Sequence, residues 1–107
     1  MSKQVSLETN HYFVLLALAD QAAHGGAISD QIIGDSVGGI YLRSSTLYAT
    51  LKSLELSGSV ERQTSIETKA HQKAYRLTES GQRRLADLAR MHERAARLAK
   101  TRLGLRY

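Results

Sequence analysis

The 107-residue sequence contains no cysteine, no proline and no tryptophan, and it has a single phenylalanine. Without cysteine the protein cannot form disulfides or thiolate metal sites. Without proline, only glycine is left to interrupt its regular elements. No long apolar run follows the N-terminus, and the apolar stretch 12–19 is too short to span a bilayer. We therefore expect a small cytoplasmic protein that has no membrane partner.

Motifs of catalysis and cofactor binding are also missing. The chain has no G-x-S-x-G sequence and no carboxylate pairs close in sequence, and the glycine-rich segment 34–39 lacks the lysine of a phosphate-binding loop. The four histidines lack the i, i+4 spacing typical of metal ligands, and they are His11, His24, His71 and His92. We expect neither enzymatic activity nor a cofactor, and a metal site only where folding or dimerisation assembles one.

The net charge of +5 is unevenly distributed along the chain. Residues 1–35 carry one base and four acids, a net charge of −3. Residues 36–78 carry six bases and three acids (+3), and residues 79–107 carry eight bases and three acids (+5). A basic surface of this kind suits a polyanion such as DNA. A solvated basic helix at the C-terminus explains the charge equally well.

Glycines and apolar spacing divide the first part of the chain into short elements. A first helix is predicted from a cap at Thr9 or Asn10 to about Ala23, where Gly25 and Gly26 end it. A second helix is predicted over 27–35 and a very short strand over 40–42. The inward residues of the second helix would be Ile28, Ile32 and Ile33.

A third helix, capped by Ser44 or Ser45, is predicted to end at Gly58. Its buried stripe would consist of Leu47, Leu51 and Leu54, which recur at i, i+4 and i+7. The opposite face is small or basic and consists of Ser45, Ala49, Lys52 and Ser53. Such a face can enter the ~12 Å major groove of DNA. A core helix with a solvated outer face would show the same pattern.

The residues at the start of this helix also suit DNA. Backbone N–H groups and hydroxyls at a helix N-terminus favour phosphate, and the residues concerned are Arg43, Ser44, Ser45 and Thr46. After Gly58, strands are predicted over 60–64 and 74–78, joined by a polar loop over 65–73. This hairpin would bring basic side chains to an adjacent groove or backbone, and they are Arg62, Lys69, His71, Lys73 and Arg76.

Thr78 is predicted to cap a last helix over 79–103, with Glu79 near its positive end. Twenty-five residues at ~1.5 Å each give about 37 Å, which exceeds the size of the preceding head. Its apolar residues follow the 3-4 spacing of a coiled-coil seam, and they are Leu85, Leu88, His92, Ala95 and Ala99. We expect this seam to pair with the same helix of a second subunit. The alternative is that the helix folds back on its own domain.

Four blocks of the sequence resemble the PadR-like transcriptional regulators. They are Tyr-Phe-Val-Leu-Leu-Ala-Leu-Ala at 12–19, His-Gly at 24–25, Ser-Thr-Leu-Tyr-Ala-Thr-Leu-Lys-Ser-Leu-Glu at 45–55 and Tyr-Arg-Leu-Thr-Glu-Ser-Gly at 75–81. The third and fourth blocks are the more specific, with the patterns T-L-Y-x-x-L-x-x-L-E and Y-x-L-T-x-x-G. The resemblance covers roughly residues 10–85. The single helix that follows is similar to that of the small subgroup of the family.

The resemblance implies a winged helix-turn-helix fold, mainly α with a small β-hairpin wing. It implies a DNA-binding domain over 1–78, a dimerisation helix over 79–107, and a recognition helix over 45–57. Tyr48 and Lys52 would then contact phosphate or groove, although Tyr48 lies next to the Leu47 stripe and half-burial explains it equally well. The sequence departs from the family pattern in having no tryptophan on the last helix, which puts a pocket for flat aromatic effectors in doubt.

The function predicted from these features is a homodimeric regulator of transcription. It would bind a specific site in double-stranded DNA, act as a repressor, and be released by a small-molecule or metal effector. A protein-interaction module built on the same fold is the alternative hypothesis, and the basic balance of residues 36–78 favours DNA.

Overall fold

A computed structural model describes residues 2–63 and 73–105, with side chains from residue 8 onwards. The elements, in chain order, are α1 (Ser2–Ala17), β1 (Ala23–His24), α2 (Gly25–Asp35), α3 (Ser44–Leu56), β2 (Val60–Gln63), β3 (Ala74–Leu77) and α4 (Glu79–Leu103). The predicted fold class is confirmed, because four helices surround a small antiparallel sheet in the winged-helix order.

The core forms where α1, α2 and α3 meet the sheet. Leu47, Leu51 and Leu54 are buried on one face of α3, as their spacing predicts. Ile28 and Ile32 of α2 are also fully buried. The prediction for Ile33 is wrong, since its side chain is 37% exposed. One residue further round a 3.6-residue turn takes it off the face that α2 buries.

The first helix begins and ends earlier than the sequence predicts. It begins at Ser2 rather than at a cap on Thr9 or Asn10, and it ends at Ala17 rather than near Ala23. The Leu18 N–H contacts both the Val14 and Leu15 carbonyls, which marks a tightened last turn. The chain then leaves the helix because Ala23 and His24 pair with β3.

The sheet has the order β1-β3-β2, with both pairs antiparallel. The short strand is therefore β1, and residues 40–42 form none, contrary to prediction. The edge of β3 opposite β2 is taken by Ala23 and His24, and residues 40–42 lie in the connection between α2 and α3. The hairpin strands end at Gln63 and Leu77, while Thr78, predicted as the last strand residue as well as a cap, lies outside the strand.

Of three predicted helix starts, two differ in detail from the structure and one is confirmed. Gly25 and Gly26, read as the end of a helix, begin α2, with His24 as N-cap accepting the Ala27 N–H at 3.4 Å. The N-cap of α3 is Arg43 rather than Ser44 or Ser45, and its side chain makes no cap hydrogen bond. The predicted cap of α4 is confirmed, since the Thr78 hydroxyl accepts the Gly81 N–H at 3.0 Å.

The close approach between α4 and the sheet depends on Gly81. A Cβ built on Gly81 would lie 1.9 Å from the Ser59 carbonyl oxygen, so only glycine fits at this contact. Thr78 secures the same junction, because its hydroxyl donates to the Gly58 carbonyl at 2.5 Å and its N–H to the Ser59 carbonyl at 3.1 Å. These contacts fix the direction in which α4 leaves the head.

Candidate nucleic-acid interface

The outer face of α3 is the surface that the sequence analysis assigned to DNA. Its inner side is anchored by the leucine stripe and by Thr50, whose hydroxyl donates to the Thr46 carbonyl at 2.8 Å. The predicted contact residues on and before this helix are exposed except for the half-buried Ser53, and they are Arg43, Ser44, Ser45, Thr46, Tyr48, Ala49, Lys52 and Ser53. A helix with its large residues inward and its small residues outward is suited to close approach.

Tyr48 is both partly covered and partly exposed, so half-burial and a contact with DNA are compatible. Its side chain is 51% exposed, so it lies on the outer surface and is only partly covered. The phenol lies across the start of α2, where a Cβ on Gly25 would be 2.3 Å from the Tyr48 Oη. Glycine at position 25 therefore allows the phenol of Tyr48 to rest on the start of α2, with its hydroxyl end over Gly25.

The charges on this surface are not equivalent. Arg43 and Lys52 are exposed, and neither makes an ion pair within the described part of the chain. Arg62 of β2 differs, because its Nε donates to Glu55 Oε2 of α3 at 2.7 Å. This hydrogen bond and the Glu55 charge raise the pKa of Arg62. The guanidinium thus reaches the surface with its charge already partnered.

A second ion pair lies across the hairpin. Glu61 and Arg76 are register partners on β2 and β3, and the Arg76 Nε lies 2.6 Å from Glu61 Oε1. Between these pairs Tyr75 is buried, and burial raises the pKa of its hydroxyl. Sequence reasoning missed Glu55 and Glu61 as partners. The register of two antiparallel strands could have paired Glu61 with Arg76. The contact of Glu55 with Arg62 depends on how α3 packs against β2, which the sequence does not show.

The remaining hairpin residues are only partly described. Lys73 is exposed at the start of β3. The predicted contacts Lys69 and His71 lie outside the described residues.

Tyr41, placed by prediction in a strand, lies in the connection between α2 and α3 and is 69% exposed. It stands beside Leu42, which is buried, so the alternation of exposed and buried side chains is present here without a strand.

The predicted dimer seam on α4 divides into two parts. Leu85 and Leu88 are half-buried and pack against the core of their own domain. The His92 ring packs against Tyr12 of α1, with ring centroids 4.4 Å apart and the ring planes tilted by 43°. Beyond this contact Ala95 and Ala99 are exposed.

An apolar stripe continues beyond the head along α4. Ala96 and Leu103 are exposed on the same side of the helix as Ala95 and Ala99, and Leu103 is 72% exposed. A hollow of about 330 Å³ lies between α1 and α4 at the base of this stripe, bordered by Tyr12, Leu16 and Leu85. The second half of α4 therefore presents apolar surface that its own domain does not cover.

His11 is the one buried group near α4 with an unusual polar environment. It is 9% exposed, and its Nε2 has no hydrogen-bond partner in the described structure. Burial lowers the pKa of His11, the nearby Arg84 guanidinium lowers it further, and Glu8 opposes the shift.

Among the described residues no three histidine, aspartate or glutamate side chains converge as a metal site. Likewise, no helix in the described ranges is long and apolar enough to cross a membrane.

This combination of helix-turn-helix, exposed third helix, hairpin and long last helix defines a winged-helix protein. The model of the Transcriptional regulator PadR-like family matches residues 14–87. The chain therefore belongs to the PadR-like family of transcriptional regulators. A search of curated proteins found no match.

Solved structures agree with this assignment. A transcriptional regulator from Clostridium thermocellum is 21% identical, with a TM-score of 0.77 over 94% of this chain and 96% of that one. A PadR-like transcription factor from Bacteroides fragilis is 18% identical, with a TM-score of 0.77 over 94% and 95%. PadR of Bacillus subtilis, solved in complex with operator DNA, is 29% identical, with a TM-score of 0.65 over 74% of this chain and 46% of that one.

Proposed function

We propose that this regulator binds a specific site in double-stranded DNA as a homodimer and represses transcription. The observation that carries the proposal is the outer face of α3, which is small, exposed and flanked by the unpaired cations Arg43 and Lys52. The similarity to Bacillus subtilis PadR, a structure solved with operator DNA, supports it. A small face bordered by positive charge suits a groove bordered by phosphates.

We assign two roles to the residues of this surface. The start of α3 would hold phosphate through its N–H groups, its hydroxyls and the Arg43 charge. Further along the helix, Tyr48, Ala49 and Ser53 would face the bases, and Lys52 would reach a phosphate at the edge of the groove. The hairpin would add contacts from Lys69, His71 and Lys73. Arg62 would contribute less charge than Lys52, because Glu55 already partners it.

We propose that α4 forms the dimer through its uncovered half. Leu85, Leu88 and His92 would border the interface while packing on their own head, and Ala95 and Ala99 would lie within it. Small residues allow two helices to approach closely, and the stripe gains burial only from a partner. Under this proposal residues 1–78 contact DNA and residues 79–107 set the distance between two heads.

The same arrangement suggests how repression ends. Two recognition helices of a dimer enter successive major grooves when they are one helical turn, ~34 Å, apart. An effector, organic or metallic, that changes this distance would shift the population away from the DNA-binding state. No enzymatic step or cofactor enters this account, and we place the protein in the cytoplasm with the DNA it regulates.

Selection from a random duplex library tests the proposed function. The protein is incubated with the library, and bound duplexes are recovered and sequenced over several rounds. The proposal expects an inverted repeat whose half-sites are centred about 10 base pairs apart or a multiple of that. Enrichment of a single unrepeated site would contradict the dimeric reading. Recovery of unselected sequences only would contradict specific DNA binding and favour a protein-interaction module.

A further inference from the structure

A second cleft of the molecule lies on the DNA-facing side, between α2 and α3. Its volume is about 380 Å³, which is within the range of small-molecule sites. Besides buried leucines, its lining includes two exposed tyrosine rings, one exposed isoleucine, two serine hydroxyls and one carboxylate, namely Tyr41, Tyr48, Ile33, Ser29, Ser44 and Asp30. The proposed DNA contacts account for Ser44 and Tyr48 but not for the other four.

One aromatic wall of the cleft is positioned by the backbone of α2. Tyr48 rests against Gly25 so closely that a side chain at position 25 would displace the ring. Tyr41 lines the same cleft from the connection between α2 and α3, and its chain neighbour Leu42 is buried. Both rings expose at least half of their surface, 69% for Tyr41 and 51% for Tyr48. Two exposed rings bordering one cleft offer π surface to a planar guest.

The charged side chain that lines the cleft is acidic. Asp30 is exposed and makes no ion pair within the described ranges, and no lysine or arginine lines the cleft. The nearby Arg43 lines a separate hollow that shares Tyr41 and Leu42 with the cleft. Aromatic rings attract a cation at their faces, and a carboxylate adds to that attraction.

We propose that this cleft binds a small aromatic cation, meaning a single ring that carries an ammonium or amidinium group. Such a ligand would lie between Tyr41 and Tyr48 with its charge toward Asp30. Because Ser44 and Tyr48 are also assigned to DNA, the bound ligand and DNA would compete. This second statement rests on the proposed function, whereas ligand binding itself does not.

The binding step is tested without DNA, by titrating the protein with benzylamine while recording amide NMR shifts. We expect shifts centred on Gly25, Gly26, Asp30 and Ser44, with a dissociation constant in the millimolar range for so small a ligand. Benzyl alcohol, the neutral analogue, should bind about 2–5-fold more weakly, as expected for loss of a cation–π contact. Benzoate should bind more weakly still, because Asp30 repels it.

Variants identify the site. Asp30→Asn should reduce the preference for benzylamine over benzyl alcohol, because the attraction of the carboxylate is lost while the rings remain, and Tyr41→Ala should weaken both ligands. Asp20→Asn is the matched control, since it removes the same charge from an exposed aspartate outside the cleft. Shifts centred on α1 and α4, equal binding of benzoate, or an Asp20→Asn effect as large as that of Asp30→Asn would each overturn the proposal.

The competition step is tested by measuring DNA affinity in benzylamine and in methylammonium at equal ionic strength. Benzylamine should weaken DNA binding beyond the methylammonium control, and Asp30→Asn should reduce the difference. Equal effects of the two amines would overturn competition while leaving ligand binding in place. A protein that binds benzylamine but no DNA would instead contradict the proposed function and leave the cleft assignment standing.

Discussion

Arg62 Nε of the hairpin lies 2.7 Å from Glu55 Oε2 of the third helix. The pair joins the wing to the proposed recognition helix. Both side chains are partly exposed, and an exposed pair of this kind contributes little to stability. The pair matters because the Glu55 charge reduces the positive charge that Arg62 can offer to DNA phosphates.

This ion pair predicts how DNA affinity depends on salt. Arg62→Ala should change the salt slope by less than about half a unit, because Glu55 already compensates the charge, whereas Glu55→Gln should steepen the slope by about one unit. The measurement is fluorescence anisotropy with a labelled duplex at four or more salt concentrations. A loss of about one unit in Arg62→Ala would show that Arg62 contacts phosphate with its full charge.

Lys52 should behave differently from Arg62, since it has no ion pair among the described residues. Lys52→Ala should weaken DNA binding and flatten the salt slope by about one unit if it contacts phosphate. Arg94→Ala on α4 is the control, because it removes one positive charge far along the last helix. Equal effects of the two variants would mean that only the net charge of the protein matters.

The uncovered stripe of α4 predicts a clean test of dimerisation. Ala99→Glu should convert the dimer to monomer, because it places a charge in the proposed interface without touching the core of the head. Leu88→Asp is less decisive, since Leu88 also packs on its own domain and the variant would disturb the fold. Sedimentation velocity measures the change.

Thr101→Glu is the matched control for that experiment. It adds the same charge to the same end of α4 but on the polar side of the helix, so the protein should remain dimeric. If Ala99→Glu also sediments as a dimer, the second half of α4 is not the interface.

Two glycines predict opposite changes in the free energy of unfolding. Gly81→Ala should destabilise the protein by about 1–3 kcal/mol, because the new Cβ meets the Ser59 carbonyl. Gly34→Ala should stabilise it by up to about 1 kcal/mol, because Gly34 is helical and no atom lies within 4 Å of its Cβ position. Urea unfolding followed by circular dichroism compares the two. A neutral Gly81→Ala would contradict the close contact between α4 and the sheet.

The buried His11 predicts a loss of stability in acid. Its pKa is lowered in the fold by burial and by Arg84, against the opposing charge of Glu8. The unfolded chain therefore takes up the proton first, and the contribution of His11 to stability is present above about pH 6.5 and declines as the pH falls below it. Thermal unfolding between pH 5 and 8 should show the decline, and His11→Gln should reduce it. An equal decline in His11→Gln and in the unsubstituted protein would show that another group causes it.

The sequence was sufficient for the elements that depend on local periodicity. The leucine stripe of α3, the Thr78 cap and the bounds of α4 follow from spacing and capping within one segment. The errors arose where tertiary contacts decide. Gly25 looks like a helix end, but it begins α2 because Tyr48 packs against it and β1 pairs with β3.

The candidate site divides in the same way. The small outer face of α3 follows from helical spacing, so its exposed residues could be listed from the sequence. The ion pair between Glu55 and Arg62 could not be predicted from the sequence. The two residues are seven positions apart, and the turn between α3 and β2 decides whether they meet. The covered and uncovered parts of α4 were also indistinguishable, since Leu88 and Ala99 follow one continuous 3-4 spacing.

DNA binding itself is the central claim, and anisotropy with the DNA that flanks the gene of this protein tests it most directly. An unrelated duplex of the same length serves as the control, and both are measured across a salt series. The account predicts tight, salt-dependent binding that prefers the flanking fragment. Absence of binding to either duplex at low salt would contradict it.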